Sequence, residues 1–241
     1  MKKYRFKRLL KKLAGKYLIP HAQLNYAQFG EDLIINHFFT LRGIAAPSYL
    51  DIGANEPKFI SNTFFFYEKG ASGVLVEPNP ILSAKLRKAR PRDKVLNMGI
   101  GFEAEAEADF YVFPDYANGL STFSKKEAEH WEKIGMKHLG KISVEKVIKV
   151  PLLPVNLILQ ENFPGTAPDF ISLDVEGLDL DILKNMDFTL YRPWLICVET
   201  LKYDDCQNGY KDHTITEFMQ SVNYSIYAET YVNTIYLKND H

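Results

Sequence analysis

The sequence has only two cysteines, Cys197 and Cys206. One pair cannot staple a disulfide scaffold, so a reducing, cytoplasmic setting is expected. A chain of 241 residues with 46% hydrophobic content can bury a core without such staples. It has no run of about 20 apolar residues, the length a membrane span needs. The basic N-terminus lacks the apolar stretch and cleavage site of a signal peptide. No Gly-x-x-x-x-Gly-Lys-Ser/Thr is present, which excludes phosphate-loop chemistry. No repeat or low-complexity tract divides the chain.

Histidine chemistry is also thin. None of His21, His37, His130, His138, His213 and His241 falls in a metal-ligand spacing such as His-Glu-x-x-His. His37 falls on a helix face and reads as structural, and His213 precedes a helix. His130 and His138 flank the middle insertion and are the two candidates to face a substrate. No nucleophilic triad is evident.

Acid is missing from residues 1–20, which carry eight lysines and arginines. Removing those eight from the 29 in the chain leaves 21 against 30 acids, so the body is acidic. An acidic body argues against a broad nucleic-acid surface. Tyr4, Phe6, Leu9, Leu10, Leu13, Tyr17 and Leu18 recur at helical spacing among the basic residues. They predict an amphipathic helix over 1–20 that either lies on an anionic bilayer or a partner, or packs on its own domain.

From there the chain reads as one α/β domain over 21–241. Residues 28–41 predict a helix with Phe29, Leu33, Ile34, His37 and Phe38 on one side. Strands at Ser48–Ile52, Gly73–Val76 and Lys94–Met98 alternate with helices at Ile60–Lys69 and Pro80–Ala89, which predicts a parallel sheet. Residues of about 103–155 form a less regular insertion, with strands at Ala108–Phe113 and Ile142–Val150 and a helix at Lys125–Ile134. The rhythm resumes with a helix at Asn156–Glu161, strands at Asp169–Leu173 and Trp194–Val198, and helices at Leu178–Met186 and Ile215–Val222. Tyr224–Glu229 and Asn233–Leu237 close it as an antiparallel pair. The run Phe64–Tyr67 reads as core rather than a stacking platform.

Open α/β sheets bind ligands beyond the carboxyl ends of their strands. Asp51, Glu77 and Asp174 follow three such strands. The first turn, Asp51-Ile-Gly-Ala-Asn-Glu-Pro57, has Gly53 for a tight turn but lacks the other glycines of a dinucleotide motif. Asp51 and Glu56 would repel a pyrophosphate and would attract a cationic sulfonium ligand that carries an ammonium group. Glu77 is placed to accept hydrogen bonds from ribose hydroxyls.

Several motifs then fall in order. Tyr26-Ala-Gln28-Phe-Gly30-Glu31-Asp32 is followed by Tyr49–Asn55, then Ser61-Asn62-Thr63 with its aromatic run. Gly73-Val-Leu-Val-Glu77-Pro-Asn-Pro80, Ser121-Thr122-Phe123 and Asp174-Val-Glu176-Gly177 complete the series. Over residues 23 to 200 the chain resembles the FkbM family of S-adenosylmethionine-dependent methyltransferases. The resemblance implies a class I methyltransferase fold, a Rossmann-like three-layer sandwich around a mostly parallel seven-stranded sheet whose last strand is antiparallel. It implies S-adenosylmethionine as cofactor and O-methylation of sugar, glycan or natural-product hydroxyls. Cofactor contacts are expected from Gln28, Asp51, Gly53, Asn55, Thr63, Glu77, Pro78 and Asp174. Many members have a further glycine shortly after the position of Asn55, where this chain has Glu56-Pro57.

A sugar hydroxyl is a poor nucleophile, so a base or a metal must help. Asp174, Glu176 and Glu199 are the catalytic candidates. Either Asp174 and Glu199 hold Mg²⁺ within an oxygen-rich site, or one carboxylate acts as base while another holds the acceptor. Ser121, Thr122 and His130 are the acceptor-side candidates. A nicotinamide-type oxidoreductase and a non-catalytic binding scaffold remain the alternatives. The first is disfavoured by the missing glycines, and the second by the presence of the carboxylates.

Overall fold

The computed structural model describes residues 23–102, 106–136, 140–204, 206 and 208–239. The expected basic helix over 1–20 and residues His21, His138 and His241 lie outside them.

Seven strands form the main sheet: β1 (Tyr49–Ile52), β2 (Gly73–Val76), β3 (Lys94–Leu96), β7 (Phe170–Leu173), β8 (Leu195–Glu199), β11 (Tyr224–Glu229) and β12 (Asn233–Lys238). Their order is β11-β12-β8-β7-β1-β2-β3. β1 pairs in parallel with both β2 and β7, and only β12 runs antiparallel to its neighbours. This is the class I methyltransferase sheet that the family resemblance implies. The chain leaves β1 in one direction toward β3 and later returns to its other side at β7, so a crevice opens between their carboxyl ends.

Each central strand is buried on both faces, which is why those strands read as apolar runs rather than alternations. On one face Ile35, Phe38, Phe39, Phe66 and Leu86 cover Tyr49, Leu75, Phe170 and Cys197. On the other, Val155, Ile158, Ile182, Ile215 and Met219 cover Leu50, Ile52, Leu173 and Val198. Helices on both sides complete three layers. Among the described residues no helix is long and apolar enough to cross a membrane.

The helix Glu31–Leu41 is packed through Ile35, Phe38 and Phe39, and His37 is exposed rather than structural. Phe64, Phe66 and Tyr67 are buried, as core residues should be. Between β3 and the helix Val155–Asn162, three strands make a second sheet: β4 (Gly99–Gly101), β5 (Glu107–Val112) and β6 (Lys146–Pro154), ordered β4-β6-β5. The helix Lys125–Ile134 packs beside it, capped by Ser124, whose Oγ accepts the Glu127 N–H at 3.2 Å. A short hairpin, β9 (Leu201–Tyr203) with β10 (Gly209–Lys211), leaves the end of β8.

The segment before the first helix is tied to the end of the chain. Glu31 accepts hydrogen bonds from Thr230 Oγ1 at 2.6 Å and Asn233 Nδ2 at 3.0 Å. Asp32 accepts the Tyr26 N–H at 2.7 Å, and the Tyr26 carbonyl accepts the Ser61 N–H at 2.9 Å.

Candidate active site

At the end of β1 the backbone turns through Gly53 at φ 84° and Asn55 at φ 48°. Only glycine fits the first position, because a Cβ there would lie 1.7 Å from the Asp174 carbonyl oxygen. The Gly53 and Ala54 N–H groups both donate to the Val76 carbonyl, at 3.0 and 3.2 Å. Glu77 then secures the turn: its Oε2 accepts the Asn55 N–H at 2.8 Å and its Oε1 accepts the Asn79 N–H at 2.7 Å. Each oxygen retains a further lone pair. Burial pushes Glu77 up to about 7, against the pull of those two N–H groups. Among the described residues no donor reaches the buried Asn55 Oδ1. Beyond the turn, Glu56 pairs with Lys85 at 2.7 Å.

This turn is one wall of a cavity of about 830 Å³. Acids line the cavity directly beside the turn. Asp174 leaves β7, Glu199 ends β8, and Glu176 and Gly177 follow Asp174 in left-handed backbone, with φ 55° and 105°. Carboxylate oxygens of Asp174, Glu176 and Glu199 all lie within 4.8 Å of one another. Burial, and then the charge of neighbouring acids, raises all three carboxyl groups above their ordinary range. Two residues shape this loop. Asp179 accepts the Val175 and Gly177 N–H groups at 3.2 and 3.3 Å, and Thr122 Oγ1 donates to the Glu176 carbonyl at 2.9 Å. Lys202 faces the acids from β9. Burial opposes its charge, yet Asp179, Glu199 and Glu176 outweigh that and hold its ammonium above the usual lysine range.

Gln28, Gly53, Asn55, Glu77, Pro78, Ser121, His130, Asp174, Glu176 and Glu199 all line the cavity. Asp51, Thr63 and Thr122 are not on its wall. Side chains alternate along a strand, so Asp51 points to the same face as Tyr49, away from the Leu50 and Ile52 side. There it enters a buried polar cluster. Thr63 Oγ1 donates to Asp51 at 2.5 Å and accepts from Arg90 at 2.9 Å, while Arg90 Nε bonds Asp93 at 2.7 Å and Tyr49 OH donates to Asp93 at 2.8 Å. Arg90 is fully buried. Asp51 and Thr63 therefore support the turn from beneath, and Thr122 holds the acid loop.

Lys202, Tyr203, Tyr210, Tyr231 and Trp131 also line the cavity and were not singled out by sequence reasoning. Asp179 was likewise missed as the residue that braces the acid loop. The signal available was Leu201-Lys-Tyr203 directly after a buried strand that ends in Glu199. Its three-residue strands are too short to show a period.

A family model described as "Methyltransferase FkbM domain" matches residues 51–226, nearly three quarters of the chain. The chain belongs to the FkbM methyltransferase family. The match begins at Asp51 and so takes in the Gly53 turn, Glu77 and all three clustered acids of this FkbM domain. No curated protein matched the chain by sequence. Among solved structures it is similar to the 1,6-didemethyltoxoflavin-N1-methyltransferase of Burkholderia thailandensis, solved with 1,6-didemethyltoxoflavin and S-adenosylhomocysteine. That likeness has 11% identity and a TM-score of 0.43, over 99% of this chain and 90% of that one. An O-methyltransferase from Bacillus cereus in complex with S-adenosylhomocysteine has 13% identity and a TM-score of 0.41, over 95% and 88%. A TehB-like methyltransferase from Corynebacterium glutamicum has 10% identity and a TM-score of 0.43, over 98% and 97%.

Proposed function

We propose that this FkbM domain binds S-adenosylmethionine in the cavity and methylates a hydroxyl of a sugar-containing acceptor, such as a surface glycan or a related natural product. The observation that carries the reading is the cluster of Asp174, Glu176 and Glu199, within 4.8 Å of one another in the same cavity that the Gly53 turn lines. The cavity wall holds six acids, Glu56, Glu77, Glu127, Asp174, Glu176 and Glu199, against Lys126 and Lys202. Such a site favours a cationic ligand and repels the pyrophosphate of a dinucleotide.

The residues divide the work. The free lone pairs of Glu77 accept the two ribose hydroxyls, and Asn55 Oδ1 accepts from the ammonium group. When bound, the cofactor would supply a sulfonium methyl group for transfer to the acceptor oxygen, with the carbon–sulfur electron pair left on sulfur. Asp174 or Glu199 takes the hydroxyl proton, and Lys202 limits the repulsion among the acids. Ser121 and His130 lie on the acceptor side with Trp131 and Tyr203. Aligning oxygen, methyl and sulfur supplies much of the acceleration. Free Cys197 and Cys206 fit a reducing, cytoplasmic setting.

The test is transfer of labelled methyl from S-adenosylmethionine to sugar nucleotides, free glycans and lipid-linked glycans. Label retained on a sugar supports the reading, and no transfer to any hydroxyl acceptor counts against it. A second reading adds a divalent cation, held by Asp174, Glu176 and Glu199, which would polarise the acceptor oxygen. Three carboxylate oxygens at this spacing suit a hard cation. Activity that falls on chelation and returns with Mg²⁺ would favour it.

A further inference from the structure

We infer, resting on the methyl transfer proposed above, that the acceptor is an uncharged glycoside held on a band of rings at the cavity lip, and that a sugar nucleotide is not a substrate. Trp131 and Tyr203 meet edge to face at 5.7 Å, and Phe29 and Tyr231 do so at 5.6 Å. Gly209 of β10 joins the two pairs. A Cβ there would stand 3.1 Å from the Tyr231 hydroxyl and 3.6 Å from Tyr203 Cε1, so both rings reach it. The four rings come from separate segments: the helix Lys125–Ile134, β9, the turn between β11 and β12, and the chain before the helix Glu31–Leu41. Trp131, Tyr203 and Tyr231 line the cavity. No described residue bonds the hydroxyls of Tyr203 and Tyr231 or the indole N–H of Trp131. The core tyrosines Tyr49, Tyr224 and Tyr236 have hydroxyls that are all bonded within the protein. Apolar ring faces with free polar tips match a sugar, which offers C–H groups on its faces and hydroxyls round its edge. Burial raises the Tyr203 hydroxyl above its ordinary range, and Tyr231, Glu199 and Glu176 add to it, so the band ends beside the clustered acids.

The same cavity has little with which to hold a phosphate. Among the described residues no arginine lines it, and arginine is the side chain that grips phosphate through two parallel bonds. The backbone N–H groups of its two turns are already spent. Gly53 and Ala54 donate to the Val76 carbonyl, Asn55 donates to Glu77, and Val175 and Gly177 donate to Asp179. The two lysines on the wall, Lys126 and Lys202, stand against six acids. A sugar nucleotide would bring its diphosphate into that field, whereas a neutral glycoside brings no charge. Glycosyl transfer joins the anomeric carbon of a sugar to an acceptor oxygen and expels the nucleoside diphosphate. That class of reaction must supply this substrate, so methylation follows glycosyl transfer.

The probes are the methyl glycosides of glucose, galactose, mannose and rhamnose, set beside UDP-glucose, UDP-galactose, GDP-mannose and dTDP-rhamnose. Ligand-observed NMR on the full chain, with and without S-adenosylhomocysteine and Mg²⁺, reads binding. At least one glycoside should bind about tenfold or more tightly than its sugar nucleotide. Trp131→Ala, Tyr203→Ala and Tyr231→Ala should each weaken that glycoside about tenfold, the scale of one anchoring ring, and leave S-adenosylhomocysteine binding unchanged. Tyr231 is 58% exposed, so its variant keeps the fold even where loss of the more buried Trp131 does not. Leu190→Ser, exposed and outside the cavity, should bind like the parent. Equal or tighter binding of the sugar nucleotides overturns the inference, as does labelled methyl carried onto one of them. So does Tyr231→Ala with parent-like glycoside binding, or the absence of binding by every glycoside. Binding is read without catalysis. Preferred glycoside binding by a protein that transfers no methyl would overturn the proposed activity and leave the ring band as a glycoside site.

Discussion

The carbonyl oxygen of Asp174 stands 1.7 Å from the point where a Cβ on Gly53 would lie. The Gly53 turn and the acid loop thus meet backbone to backbone. Gly53→Ala must push the ends of β1 and β7 apart and also strain a residue held at φ 84°. It is expected to cost more than about 2 kcal/mol and to abolish S-adenosylhomocysteine binding. Urea unfolding and calorimetry measure the two effects. Parent-like binding by this variant would show that the two turns separate freely.

Glu77 gives cofactor binding a pH dependence. Its folded-state value, about 7, lies above the ordinary 4.5. Between those values the folded protein holds a proton that the unfolded chain has lost. The stability contribution is therefore full below pH 4.5 and is lost as pH rises to about 7, on the order of 3 kcal/mol in total. The proposed ribose contacts favour the ionised carboxylate. S-adenosylhomocysteine should therefore bind more tightly as pH rises through 7, and Glu77→Gln should flatten that rise. Calorimetry at pH values on either side decides it.

Asp174→Asn and Glu199→Gln test the acid cluster. Each keeps the shape of the side chain and removes its capacity as a base. Methyl transfer should fall by about 10² to 10⁴-fold, the range of general-base catalysis, while S-adenosylhomocysteine binding changes little. Loss of binding in step with activity would assign these residues to cofactor binding instead.

Arg90 is the charge beneath the turn, with Asp93, Tyr49 and Thr63 around it. Arg90→Met leaves Asp93 and Asp51 buried without their cation. A loss of about 3–5 kcal/mol is expected, the scale for breaking a buried ion pair from one side. Chemical denaturation measures it. A loss below 1 kcal/mol would mean that water or another group takes over.

The sheet and the acid-bearing strand ends were legible because buried parallel strands are written as short apolar runs with a polar residue where each ends. Glu77, Asp174 and Glu199 were found that way. Asp51 misled for a specific reason. It is the third residue of a four-residue strand buried on both faces, so composition does not tell which face its side chain takes, and its link to Arg90 runs through Thr63, twelve positions later in the chain. Lys202, Tyr203 and Tyr210 escaped because three-residue strands carry no readable period. Asp179 escaped because an acid in the first turn of a helix is ordinary. Its bonds to Val175 and Gly177 become visible only in three dimensions.

The bonds from Thr230 and Asn233 to Glu31 span 199 and 202 residues. Nearly the whole chain must leave the ribosome before Glu31 can find them. Closing so long a loop is slow, and it yields nothing until the intervening sheet is in place. Phe29 and Tyr231, which flank that clasp at the cavity lip, are thus brought together only at the end of folding. During synthesis the Gly53 turn can form on β1 and β2 well before the lip is complete. The order of assembly in time is the reverse of the order in which an acceptor would meet these parts on its way in.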